Sequence, residues 1–215
     1  MTRPDRFLSR LVQMNKEERE SIMKENKLLS QFNPRKLAYY EKENYVAYYQ
    51  KRWLRLMIVS VGMVREAFHL SLPQAVYGAY LVARAEIAAA PFPDNDRPQA
   101  EAYMRRFYTF LNHVHNLNIH VGRVARVEVE WWVVHRRCFG QAQNQELVEA
   151  LVNSYSALFG ISSEKLREAA THRGPGMLVA DQWVNGGRQP GSPLLAQVED
   201  ELARAYTALK AALSG

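Results

Sequence analysis

Apolar side chains recur three and four residues apart through almost the whole chain. Strict alternation is confined to Ile119-His-Val121 and Val127-Glu-Val129, both inside or beside helical stretches. A chain without strand patterning has one route to a core, which is to pack amphipathic helices on one another. Asn33-Pro34 is a cap followed by proline at the first helical position. From there one long helix is predicted over about 35–70, bending near Ser60-Val-Gly62 and carrying a stripe at Tyr45, Tyr49, Trp53, Leu56 and Val59. Ser71-Leu-Pro73 restarts a helix to about Ala90, and the three prolines between Pro91 and Pro98 make the clearest loop. Further helices are expected over about 98–117, 123–139, 145–158, 162–173, 177–184 and 193–213, with Gly174-Pro-Gly176 as a stop. The expectation is an all-α, antiparallel multi-helix bundle. Residues 1–33 would form a polar N-terminal helical arm and residues 34–215 a single bundle domain.

At 215 residues the chain can bury a sizeable core, and its one cysteine, Cys138, excludes an internal disulfide. The formal charge of +6 is uneven. Residues 1–60 carry 13 Lys/Arg against 7 Asp/Glu (+6), residues 61–140 carry 9 against 7 (+2), and residues 141–215 carry 6 against 8 (−2). An acidic partner would therefore meet the N-terminal part. No leader segment is visible. The stretch Trp53–Val64 is interrupted by Arg55 and falls short of the ~20 residues of a span. Leu72–Ala90 is longer but holds Arg84 and Glu86. The reading is a soluble, cytoplasmic protein, with peripheral attachment at a membrane surface as an alternative.

The densest chemistry lies in Arg126-Val-Glu-Val-Glu-Trp-Trp-Val-Val-His-Arg-Arg137. On a helix, Glu128, Trp132, His135 and Phe139 share one face, while Glu130, Val134 and Arg137 lie on another. Glu128 and His135 stand about 10 Å apart along the axis, too far to chelate one metal but able to hold two ends of a ligand against Trp132. The structural alternative keeps the tryptophans in the core, pairs Glu128 with an arginine and hydrogen-bonds His135 in a packed interface. Thr171-His-Arg-Gly-Pro-Gly176 before Asp181-Gln-Trp183 forms a second polar-aromatic cluster, in which Arg173 and Asp181 would face each other across a turn.

A carboxylate-bridged centre for iron or manganese wants two Glu-x-x-His pairs and further carboxylates. One such pair is present, Glu66-Ala-Phe-His69, with a wider one at Glu168 and His172 and with Glu86, Glu101 and Glu128 or Glu130 in reserve. No cofactor is expected on this count. His113, His115 and His120 read as a helix end and a polar loop. Cys138 follows two arginines, which would lower its pKa, and lies three residues from His135; as a single helical cysteine it is read as a small packed apolar residue.

The helix over 39–56 sets Tyr45, Tyr49 and Trp53 among Lys and Arg residues. Such a face suits a protein partner or a second copy first, a membrane surface next and nucleic acid last. The leading functional reading is a non-catalytic binding or assembly protein. Its small polar-aromatic pocket would sit around Glu128, Trp132 and His135, with Arg126, Trp131, Arg136, Arg173 and Asp181 as further ligand-binding residues. The competing readings are a bundle enzyme, using His135 with Glu128 or Glu130 as acid and base, and a metal-dependent oxidoreductase.

Overall fold

The computed structural model describes residues 16–214, and nine helices account for most of them: α1 (Lys16–Leu29), α2 (Pro34–Tyr49), α3 (Trp53–Phe68), α4 (Leu72–Ala89), α5 (Arg97–His115), α6 (Val121–Arg137), α7 (Gln145–Phe159), α8 (Ser163–Asn185) and α9 (Pro193–Ser214). The protein is all-α, and no strand occurs among the described residues. Side-chain caps start several helices as the sequence requires. Asn33 Oδ1 accepts from the Lys36 N–H, Asp96 Oδ1 from the Gln99 N–H and Asn144 Oδ1 from the Leu147 N–H. Gly160, at φ 66°, closes α7 as a left-handed C-terminal residue.

From α2 to α9 each helix packs chiefly on its neighbours in the chain, and α9 returns to pack on α2. Eight helices thus close into a ring. Consecutive members are not uniformly antiparallel, since α3 and α4 meet at 110°. The main core runs around the inner wall, with Leu81, Phe107, Leu111, Val124, Leu147, Leu166 and Leu202 nearly inaccessible to solvent. Of the expected arm, residues 1–15 lie outside the described residues. α1 lies against α9 and α7, Asn26 Nδ2 donates to the Phe159 carbonyl at 2.9 Å, and Leu29 and Phe32 reach the core.

Two boundaries differ from the sequence reading. The long helix expected over 35–70 is two helices, α2 and α3. Lys51 adopts φ 57°, the Lys51 N–H donates to the Tyr48 carbonyl and the Arg52 N–H reaches back to the Ala47 carbonyl at 2.9 Å. This is a Schellman ending in which a lysine takes the position usually held by glycine, so no residue type announced it. At Ser60-Val-Gly62 the helix continues; a Cβ at position 62 would stand 2.6 Å from the Tyr40 ring, so the glycine permits close packing. Conversely, Gly174-Pro-Gly176 is not a stop, and α8 runs through it as one helix. Gly174 sits against Val148 and Leu147 and Gly176 against Glu201 and Leu202, so both small residues serve close helix approach. Burial against α7 and α9 outweighs the backbone bond that Pro175 forgoes.

Candidate functional site

The helices enclose a hollow of about 260 Å³. α3 contributes Ser60, Met63 and Phe68 to its wall, and α5 contributes Met104, Phe107 and Tyr108. α6 supplies Glu128, Trp131 and Trp132, and α7 supplies Ser154 and Tyr155. The inward face of α4 is Ala79, Val82, Ala83 and Glu86, which are spaced three and four apart so that the small residues leave room above the carboxylate.

Among the described residues, three carboxylates and one cation face this space: Glu41, Glu86, Glu128 and Arg173. Glu41 and Arg173 satisfy each other. Arg173 Nη2 and Nε donate to Glu41 Oε1 at 2.8 and 3.1 Å, Arg173 Nη1 donates to the Tyr155 hydroxyl at 3.3 Å, and the Tyr206 hydroxyl donates to Glu41 Oε2 at 2.5 Å. The guanidinium lies 4.8 Å from the Trp131 ring centre. Burial alone would favour the neutral guanidine, but the Glu41 carboxylate outweighs it and holds Arg173 firmly charged. The Tyr155 and Tyr206 hydroxyls, deeply buried, are pushed above the ordinary phenol range.

Among the described residues no cation pairs with Glu128 or Glu86. Glu128 Oε2 accepts from the Ser154 hydroxyl at 2.6 Å, and Tyr108 hydrogen-bonds the same carboxylate. Burial, then the Glu128 charge, pushes the Tyr108 hydroxyl well above its usual range. Glu86 makes no hydrogen bond or ion pair among the described residues. Glu86 lines the hollow and keeps more than a third of its surface accessible, so water reaches its carboxyl. Burial first, and the neighbouring Glu128 second, raise its carboxyl from the ordinary 4.5 to about 7.

That shift has a measurable consequence. The folded state holds the Glu86 proton more tightly than the unfolded chain, so the stability it confers is complete below about pH 4.5 and is lost as pH rises through about 7. Each pH unit corresponds to about 1.4 kcal/mol, and screening within the accessible hollow reduces the total to about 1–2 kcal/mol. Urea unfolding of Glu86→Gln at pH 5 and pH 8 should show the wild type losing about 1–2 kcal/mol more than the variant over that interval. Parallel pH dependences would mean that Glu86 is solvated like a surface carboxylate.

The structure separates the sequence candidates into two groups. Glu128, Trp131, Trp132 and Arg173 line the hollow. His135 does not; its Nε2 lies 3.1 Å from Oδ2 of Asp181, which is fully buried. Asp181 also accepts from the Tyr45 hydroxyl and from the Gly140 N–H at 3.2 Å, so it gathers α2, α6 and the turn after α6 onto α8. Arg173 and Asp181 therefore serve different networks on one helix and do not face each other across a turn. Glu130 is on the outer side, ion-paired with Arg97, and Arg126 is exposed. Arg136 donates to the Tyr49 hydroxyl at 3.3 Å. Tyr49 stacks on Tyr45 and contacts Phe139, while Trp53 stands more than half exposed. Burial pushes the Cys138 thiol up, opposite to the lowering expected from its arginine neighbours.

Glu66 is held by Lys36 and the Asn33 N–H, and His172 Nδ1 lies 2.8 Å from Glu201. No group of three His, Cys, Asp or Glu side chains converges on one point among the described residues. Sequence reading passed over Glu41, and it weighed Glu86 only as a reserve metal ligand. The one available signal for Glu86 was a lone carboxylate on the inward stripe of an otherwise apolar, alanine-rich helix. No family model matches the chain, and neither a curated protein nor a solved structure matches it.

Proposed function

We propose that this is a non-catalytic binding protein that takes a small organic cation into the hollow of its helical ring. The observation carrying this reading is that Glu86 and Glu128 face one aromatic-walled space whose single cation among the described residues, Arg173, is already engaged by Glu41. Two carboxylates without a counter-charge in a low-dielectric space favour a positive guest, and the Trp131, Trp132, Tyr108 and Phe107 rings suit both its charge and its apolar body. A volume of about 260 Å³ equals roughly nine water molecules at ~30 Å³ each, the size of a small aryl or alkyl amine.

The test is a thermal-shift panel at pH 5 and pH 8 with benzylamine, tetraethylammonium, benzyl alcohol and benzoate. The amines should raise the Tm, more so at pH 8 where Glu86 is ionised, and the effect should vanish in Glu128→Gln. A response to the alcohol or to benzoate alone would retain a binding pocket but refute a cation site.

A second reading has one observation in its favour. A carboxyl with a pKa of about 7 beside a second carboxylate is suited to general acid–base catalysis. In that case Glu86 and Glu128, rather than Glu128 and His135, would be the reacting pair, and the amine would be turned over rather than merely retained.

A further inference from the structure

The outer faces of α3 and α4 carry most of the large apolar side chains that the fold leaves uncovered. Trp53, Leu54, Met57 and Ile58 form one face of α3, each more than half exposed. Leu72, Val76 and Tyr80 follow at four-residue spacing along α4, with Tyr77 beside them and Ile87 near the helix end. The two stripes are continuous, because Met57, Ile58, Leu72 and Val76 line one groove of about 700 Å³ in the angle between the helices. An apolar surface of this kind on a protein exterior marks a contact site.

Its charge is one-sided. The two helices contain two acidic residues; Glu66 is tied to Lys36 and the Asn33 N–H, and Glu86 points into the hollow. Lys51 and Arg52, just before Trp53, and Arg65 at the groove are exposed, with no carboxylate partner among the described residues. By length and composition α3 and α4 together would qualify as a membrane-crossing segment, yet no single helix does and the pair is bent by 110°. Lipid-compatible composition, a sharp bend between two helices neither of which is long and apolar enough to span alone, and a cationic border together describe a surface that lies in the interface of a bilayer. Exposed Trp53, Tyr77 and Tyr80 are the residue types favoured at headgroup depth.

We propose that the outer α3–α4 face docks the protein on an anionic lipid surface, with Trp53, Leu54, Met57, Ile58, Leu72 and Val76 entering the headgroup region and Lys51, Arg52 and Arg65 pairing with lipid phosphates. A second copy is the poorer occupant: a two-fold contact through this face would bring its cations close to their own counterparts, and Glu66, the carboxylate that lines the groove, is already paired with Lys36.

The experiment is sedimentation of the full chain with phosphatidylcholine vesicles prepared with and without phosphatidylglycerol, alongside light scattering of the protein alone. The wild type should sediment with the phosphatidylglycerol vesicles. Partitioning should fall roughly tenfold or more in Leu54→Glu and in Ile58→Glu, both at positions more than half exposed, and roughly fivefold in Arg52→Gln. No sedimentation with either vesicle would overturn the proposal, as would partitioning that ignores all three variants. A dimer in light scattering that Ile58→Glu converts to monomer would assign the face to a second copy instead.

Discussion

Arg173→Met should lower the stability of the fold by roughly 3–5 kcal/mol. Arg173 and Glu41 are both almost fully buried, and among the described residues the guanidinium is the only cation against the Glu41 carboxylate in the hollow. Removing it strands that charge, and the Tyr206 and Tyr155 hydroxyls cannot neutralise it. The penalty comes from the orphaned carboxylate rather than from the intrinsic worth of the pair, since desolvating two charges cancels much of their attraction. The double variant Glu41→Leu with Arg173→Met should therefore recover to within about 2 kcal/mol of the wild type in urea unfolding. A single-variant loss below about 1 kcal/mol would mean that bulk solvent screens the pair.

Asp181→Ala should cost about 3–5 kcal/mol, because three donors from separate elements lose their shared acceptor together. The Tyr45 hydroxyl, the His135 ring nitrogen and the Gly140 N–H all converge on this one carboxylate, which has no exposed surface. Asp181→Asn should cost clearly less than Asp181→Ala, about 1–2 kcal/mol. Its amide oxygen can keep the Oδ2 position and accept from the Gly140 N–H and the His135 ring, while its amide nitrogen takes the Oδ1 position and donates to the Tyr45 hydroxyl, which can accept. Tyr45→Phe, which removes one donor and leaves the acceptor, should cost only about 1–2 kcal/mol. Amide hydrogen exchange at Gly140 gives a local readout: protection there should disappear in Asp181→Ala and persist in Tyr45→Phe.

The helices were legible because burial imposes the 3.6-residue period locally, and the Asn33 boundary because capping chemistry is local too. What escaped detection depends on partners distant in sequence. Lys51 takes a left-handed conformation that its side chain does not advertise, and the glycines flanking Pro175 serve neighbouring helices instead of a turn. At the site, the tryptophans, Glu128 and Arg173 stood out as residue types. Their assignment did not, because Glu41 lies 132 residues before Arg173, and His135 is bound to Asp181 rather than to a carboxylate of its own helix. Pattern reading finds which residues can do chemistry, whereas ring closure decides which of them meet.

That closure, α9 packed on α2, also governs how the molecule can come apart. In an open stack of helical repeats the terminal unit has one neighbour and frays first, and loss of structure travels inward from the ends. A cycle has no terminal unit: peeling any helix out of the ring breaks two interfaces at once and floods the shared interior. Melting should therefore be all-or-none across the eight helices, with amides on α2 and α9 as strongly protected as those on α5 and α6.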